Sequence, residues 1–378
     1  MGGKVLISGA GVAGSTLAYW LTRRGFAVTV VERAVGQRSS GNPVDVKGPA
    51  VDVVEKMGIL PRLRAAGSRV ERMTFVNAQG KRVAGLPLSV FQDGAGAKEV
   101  ELPRADLAGI LLDAVSEKAE FRWGDTVTAL TPDPDGVDVS FANAAPQRFD
   151  LVIGADGLHS TVRRLAFGPE TDFRAHQGMY VATLPIPEPF GSDREVMFHN
   201  LPGRAVSVHP TNGHAIAAFL FRGDAVPDFD HRDLDLHKRL VIDAFADAGW
   251  RVPELLDRVR AADDLYFDAV SRVDVPRWSS GRIALVGDAA SCLSLLGDGS
   301  TLAITGAYTL AESLARTEDP VAAFRRYETA HRRLVEPKQR GFRAGAAMLV
   351  PTNRAGILLR NAAAIAVTAI SGLGARRG

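Results

Sequence analysis

Gly9-Ala10-Gly11-Val12-Ala13-Gly14 decides the fold of this chain, because of what stands on either side of it. Before it, Lys4 to Ser8 is a short apolar run that reads as a buried strand. After it, Ala13 to Arg24 reads as a helix and the valine-rich Ala27 to Glu32 as a second strand. Strand, glycine turn, helix and strand make one βαβ unit. In such a unit the first glycine permits a tight turn, the second lets backbone approach a diphosphate, and the third lets helix and strand pack closely. The helix start offers unpaired N–H groups and positive potential to an anion. Glu32 ends the second strand 23 positions after Gly9, where a carboxylate suits a ribose diol. A dinucleotide site is therefore expected on Gly9, Gly11, Ala13, Gly14 and Glu32. The motif admits NAD and FAD alike, since both use this cradle.

Working outward, Asp52 to Met57 and Leu60 to Ala66 read as helical turns. Arg104 to Glu117 reads as an amphipathic helix with apolar residues at 107, 110, 111 and 114, and Asp150 to Gly154 as another buried strand. Between about residues 170 and 275 the text changes to short alternating segments, such as Ala205 to His209 and Ala215 to Phe221, broken by prolines. An antiparallel sheet suits that region. Ile283 to Val286 returns to a buried strand, followed by a glycine-rich loop and a long helical tail from near Thr301. The expected plan is α/β. A discontinuous Rossmann-like domain (1–70, 100–170 and 275–320) carries an inserted antiparallel-sheet substrate domain (71–99 and 171–274), and a C-terminal helical segment (321–378) follows.

The composition narrows the function. In 378 residues, 46% hydrophobic and 23% charged describe an ordinary globular chain, and a net charge of +2 with scattered basic residues indicates neither nucleic acid nor an anionic membrane as partner. A single cysteine, Cys292, excludes an internal disulfide framework and a cysteine-based zinc cluster, and it reads as a small buried residue. The N-terminus runs straight into a strand without a signal-peptide pattern, so the cytoplasm is expected. Gly356 to Leu373 is apolar but interrupted by Arg360 and Asn361, and is read as a packed terminal helix rather than a membrane span. Neither a G-x-S-x-G elbow nor an H-E-x-x-H helix is present, which leaves redox chemistry.

Two further segments choose the cofactor. Gly154-Ala155-Asp156-Gly157-Leu158-His159-Ser160-Thr161-Val162-Arg163 and Gly287-Asp288-Ala289-Ala290 each follow a buried strand. Together with the first glycine motif, and in this order, they resemble the fingerprints of the class A FAD-dependent monooxygenases, the para-hydroxybenzoate hydroxylase family. The resemblance covers nearly the whole chain. It implies that Asp156 serves flavin and nicotinamide binding, that Asp288 contacts the ribityl chain of FAD, and that Arg104, ahead of its helix, holds a flavin phosphate or ribityl oxygen. The length, without a thioredoxin-like extension, and the segment Gly41-Asn42-Pro43-Val44-Asp45-Val46-Lys47-Gly48 are most similar to the compact branch that includes tetracycline-inactivating monooxygenases. In that branch an arginine near the flavin stands where Arg38 does, and Arg33 lies in the same loop after Glu32.

The resemblance further implies that NAD(P)H reduces the flavin and that dioxygen then forms a C4a-hydroperoxide, which oxygenates an aromatic or polyketide-like small molecule. One departure stands out. Where the family carries a proline and a glycine-x-glycine turn, this chain reads Ser291-Cys292-Leu293-Ser294-Leu295-Leu296-Gly297-Asp298-Gly299-Ser300-Thr301, with Leu295 at the proline and the loop one residue short. Backbone N–H groups of Gly299 and Ser300 remain placed to stabilise anionic flavin. Asp298 would disfavour that anion unless it turns to solvent. This departure keeps a second reading open, a flavoenzyme of the same fold performing a cyclisation, dehydrogenation or reduction. Phe173, Met179, Tyr180, Met197, Phe198, Phe219 and Phe221 are expected around an apolar planar ligand. His199, His209 and His214 fall on the middle sheet, where an imidazole can deprotonate or orient a phenol.

Overall fold

Strands made wholly of apolar residues need cover on both faces, and the N-terminal unit supplies it. The computed structural model describes residues 2–36, 43–88, 99–211, 214–227, 229–293 and 298–374. The chain opens with β1 (Lys4–Ser8), α1 (Val12–Arg23) and β2 (Ala27–Glu32), within one residue of expectation. Next come β3 (Pro43–Val46), α2 (Pro49–Lys56), α3 (Leu60–Ala66), β4 (Arg72–Val76), β5 (Arg82–Pro87), β6 (Val100–Pro103) and α4 (Arg104–Asp113). The helix α2 starts earlier than expected because Pro49 fits its first position, and α4 stops short of Glu117. After β7 (Glu120–Trp123), β8 (Val127–Pro132), β9 (Val137–Phe141), β10 (Gln147–Phe149), β11 (Leu151–Gly154) and α5 (Thr161–Ala166) comes the long middle section. It contains β12 (Arg174–Ile186), β13 (Glu195–Leu201), β14 (Arg204–Pro210), β15 (Ala215–Arg222), α6 (Leu234–Phe245), α7 (Val252–Ala261) and β16 (Tyr266–Asp274). The chain closes with β17 (Ser279–Ser280), β18 (Ile283–Leu285), β19 (Ser291–Leu293), α8 (Asp298–Leu314), α9 (Pro320–Leu349) and α10 (Arg354–Gly374).

The first sheet runs β17-β18-β11-β1-β2-β7, parallel except at β17. Nearly every residue of α1 is buried, because the helix lies against this sheet on one side and α8 and α4 on the others. The second sheet has eight strands, β19-β16-β12-β15-β14-β13-β4-β5, antiparallel except where β4 runs parallel to β13. Helices α6 and α7, which the alternating text did not announce, cover one face of it. Tyr180, Phe219 and Phe221 pack there with Val241, Phe245 and Leu255. Most of the aromatic residues expected around a ligand are thus core under those helices.

One helix, α9, joins the two sheets. The N-terminus of α9 is capped by Asp319, whose carboxylate accepts from the N–H of Val321 at 2.9 Å, with Pro320 at the first position. Its first half packs Phe324, Tyr327 and Val335 into the nucleotide-side core; its second half lays Phe342 and Ala346 on Met179, Val181, Leu220 and Val270 of the eight-stranded sheet. The terminal α10 packs on β5 and β13 through Ala364, as expected, while Leu358, Leu359 and Ile365 stay exposed. Among the described residues no helix is long and apolar enough to cross a membrane.

Candidate functional site

The three glycines of the first motif have separate tasks. Gly9 has φ +105°, and a Cβ there would stand 2.5 Å from the Ala155 carbonyl oxygen; a Cβ on Gly14 would stand 1.9 Å from the Gly9 carbonyl oxygen. Gly11, which begins α1, has ordinary φ and nothing within 4 Å of where its Cβ would lie. The helix start has no side-chain cap and no acid in its first turn, so its N–H groups and dipole face that open space. Such a cradle fits a diphosphate. Ala13 does a different job, meeting Gly287 so closely that a Cβ on the latter would lie 2.8 Å from the alanine methyl. Glu32 is held at the lip of the loop, its two oxygens accepting from the N–H groups of Ala10 and Ala34 at 3.0 Å each. Arg33 is exposed beside it, and Arg38 lies outside the described residues.

Asp156 is held by hydrogen bonds at the head of the second motif. Its carboxylate accepts from Ser160 Oγ, from the Val162 N–H at 3.1 Å and from Ser8 Oγ at 3.3 Å. Those bonds tie β1 to the start of α5 and shape the loop between them. Arg163, fully buried, completes the tie by donating to the carbonyls of Ala289 at 3.0 Å and Leu158 at 2.6 Å. The second motif is thereby bonded to the third. Only its place at the end of the second motif marked Arg163 in the sequence.

Asp288 lies in the turn Gly287–Ala289, where Gly287 takes φ +64°. Burial pushes its carboxyl up, Arg104 opposes that, and the Cys292 thiol bonds to it. Burial and the two acids Asp288 and Asp268 raise the Cys292 thiol well above its ordinary value, which leaves it an inert packed residue, as expected. Tyr266 of β16 joins the group; burial raises its phenol and the charges of Asp268, Arg104 and Asp288 act on it. Arg104, Asp288 and Tyr266 therefore converge from three distant stretches of chain.

At the start of α8, Gly299 leaves open space where a Cβ would be. Ser300 is turned away, its hydroxyl donating to the Asp45 carbonyl at 2.6 Å; Thr301 donates to the same oxygen at 3.0 Å and accepts from the Lys47 N–H at 3.1 Å. The Ser300 side chain is a staple to β3, leaving only its backbone for a ligand. Asp298 neither faces solvent nor stands alone, since Lys47 Nζ lies 3.3 Å and Lys338 Nζ 3.2 Å from its Oδ1. Leu295 and Gly297 lie outside the described residues. Asp45 pairs directly across the β3–β6 ladder with Glu101. Burial, then the Asp45 charge, pushes the Glu101 carboxyl up to about 7; burial raises Asp45 against the pull of Lys47. Burial lowers the Lys47 ammonium, but Asp45 and Asp298 outweigh that and raise it.

The ladders place Tyr266, Thr183, Ala218, Ser207, Phe198 and Phe75 in one row across six strands, on the face opposite α6 and α7. His209 is on this face, bonded to Ser207 Oγ at 2.9 Å, and burial pushes its imidazole down to about 4, so it is neutral. His199 points to the other face, bonded to the Val76 carbonyl at 3.1 Å and beside Trp250, while His214 is exposed at the strand end. Of the three histidines only His209 shares the face of Tyr266. A cavity of about 290 Å³ opens behind β19, between Arg272, Trp278, Arg332 and Gln339; Ala290 of the third motif and Ser291 after it reach its wall. Among the described residues no group of three His, Cys, Asp or Glu could hold a metal ion.

This geometry has relatives. The profile of the FAD binding domain family matches residues 3–340. A flavin-dependent monooxygenase of Legionella longbeachae is 35% identical over 348 residues, covering 89% of this chain and 87% of its own. An uncharacterized protein of Mycobacterium tuberculosis is 39% identical over 340 residues, covering 89% and 91%. Among solved structures, the tetracycline destructase Tet(51) superposes with a TM-score of 0.84 at 31% identity, over 97% of this chain and 96% of its own.

Proposed function

Given that the chain belongs to the FAD-binding class A flavin monooxygenases, with FAD as cofactor and NAD(P)H as the family's reductant, we propose that it inserts one atom of dioxygen into an aromatic or polyketide-like small molecule. The observation that carries this reading is the turn at Gly287, which meets Ala13 of α1 and Ala303 of α8 and where the charge of Arg104 acts on Asp288, so that the open positions at Gly11 and Gly299 belong to two helices packed about that turn. Glu32 would hold the ribose diol, the α1 start the diphosphate, Arg104 and Asp288 the ribityl chain, and the backbone at Gly299 the ring. Bound FAD supplies the redox chemistry, taking a hydride from the nicotinamide and activating dioxygen. The chain's part is to orient the ligand and exclude water, which the buried row from Thr183 to Phe198 suits. The similarity to a tetracycline destructase favours an extended, hydroxylated planar substrate.

The test is turnover of NAD(P)H under ¹⁸O₂ by the purified yellow protein with a panel of phenols and tetracyclines. One labelled oxygen in the product is the expected result. Leu295 at the family's proline supports the second reading, a non-oxygenating flavoenzyme. NAD(P)H oxidation with an altered but unlabelled product would select that reading and overturn the first.

A further inference from the structure

A helix packed on a protein surface ordinarily turns its apolar stripe to the core and its polar residues to water. The terminal helix α10 does the reverse. Arg360 faces the body of the protein, donating to Asn200 Oδ1 at 2.9 Å and to the Met348 carbonyl at 3.2 Å, with its guanidinium 3.6 Å from the centre of the Phe75 ring. Thr368 donates to the Gly85 carbonyl at 2.8 Å, and Ala364 is buried against Phe75 and Phe198 between the two. Spaced four apart, these three residues lie on one side of the helix. The other side shows Leu358, Leu359 and Ile365, which are 70%, 74% and 55% exposed, with exposed Ala355, Ala362 and Ala366 among them and Arg354 at the edge. Large aliphatic side chains gathered on one exposed face are costly in water and mark an interaction surface.

The charge around that face selects its partner. The balance of +2 over the whole chain, which indicated no anionic membrane, hides a local excess: after Glu336 there are seven Lys or Arg and no Asp or Glu. The second half of α9, which leads into α10, exposes Arg340, Arg343, Ala347 and Met348 on the side opposite buried Phe342 and Ala346, so cations and apolar residues alternate there too. Among the described residues Arg340, Arg343 and Arg354 form no ion pair. An isologous dimer through this face would set those cations against their own copies. An apolar face bordered by unpaired cations instead matches a bilayer with anionic headgroups, where aliphatic side chains enter the acyl boundary and arginines reach the phosphates. We propose that α10 and the end of α9 dock this protein on an anionic phospholipid surface, with α10 lying in the plane of the interface and Leu358, Leu359 and Ile365 inserted. The helix does not cross, since its polar side is bonded to the eight-stranded sheet. The inference rests on no reading of the reaction.

The experiment is sedimentation of the FAD-loaded full chain with vesicles of phosphatidylcholine alone and of phosphatidylcholine mixed with phosphatidylglycerol. Wild type should pellet with the mixed vesicles and stay in solution with the neutral ones, and added salt should weaken the binding. The double variant L358S/L359S should bind at least about tenfold more weakly, and Arg354→Gln about fivefold. These side chains are exposed, so both variants should keep the flavin content and melting temperature of wild type. Leu358→Trp supplies a readout that needs no loss of binding, because its added emission should shift to the blue when mixed vesicles are present. Wild type that stays in solution with both vesicles, equal pelleting with both, an unshifted Leu358→Trp emission, or L358S/L359S binding like wild type each overturns the proposal. A dimer in gel filtration that L358S/L359S converts to monomer would make a second copy the occupant and overturn it as well. None of these outcomes touches the monooxygenase reading, which the labelled-oxygen experiment tests separately.

Discussion

A glycine motif looks uniform in sequence, yet single residues within it fail in different ways. Gly11→Leu would have no atom of the fold within 4 Å of its Cβ, so the variant should melt like wild type and purify colourless, the side chain filling the diphosphate space. Gly14→Ala drives a methyl into the Gly9 carbonyl and should cost the upper end of the ~1–3 kcal/mol of overpacking, read as a lower melting temperature. The two aspartates separate similarly. Asp288→Ala should release flavin, seen as a reduced flavin-to-protein ratio after gel filtration, with the fold kept. Asp156→Ala strips partners from Ser160, Val162 and Ser8 and should lose about 1–3 kcal/mol of stability. Equal flavin loss with unchanged melting in both variants would contradict this division. Both residues were legible as motif acids, but the partners each one has in the fold were not, because those hydrogen bonds reach residues the motifs do not contain.

At the scale of elements, the junction between the loop before α5 and β16 is electrostatic. His159 Nδ1 lies 3.1 Å from Glu170 Oε1, and Nε2 lies 3.9 Å from Asp268 Oδ1. Burial opposes its charge, but the two acids outweigh burial and raise the imidazole above 6.5; Glu170 is lowered because its bonds to His159 and the nearby arginines outweigh burial. Stability from His159 is therefore fully present below pH 6.5 and is lost as pH rises through its raised folded value. Stability from Glu170 is present above 4.5 and is lost as pH falls through its lowered one. Melting temperatures of wild type should decline from pH 6 to 8 more steeply than those of His159→Gln, and parallel curves would refute the contribution. His159 stands inside the second motif, but its partners stand 11 and 109 positions away, beyond any local pattern.

For the whole molecule, α9 is the mechanical link. Its 30 residues span about 45 Å, with Tyr327 donating to the Leu285 carbonyl at 3.2 Å near one end and Phe342 on the eight-stranded sheet near the other. Phe342→Ala should cost about 3–5 kcal/mol and resolve a single calorimetric transition into two, the sheet side melting first. One sharp transition at unchanged temperature would show that the halves are coupled elsewhere. The sequence by itself determined the βαβ unit, the glycine cradle, Glu32, the antiparallel middle section and the order of three flavin motifs. Periodicity, turns and helix starts are set by residues within a few positions of one another, and the resemblance of those motifs carried the cofactor with them. Only the tertiary structure showed that Asp156 and the Ser300 hydroxyl bond to distant parts of the chain, that Lys47 and Lys338 stand beside Asp298, that Tyr180, Phe219 and Phe221 lie under α6 and α7, and that Asp45 meets Glu101. Each of those depends on register between strands or on packing of distant helices, where the long-range balance of burial and charge assigns a side chain to the fold or to the site.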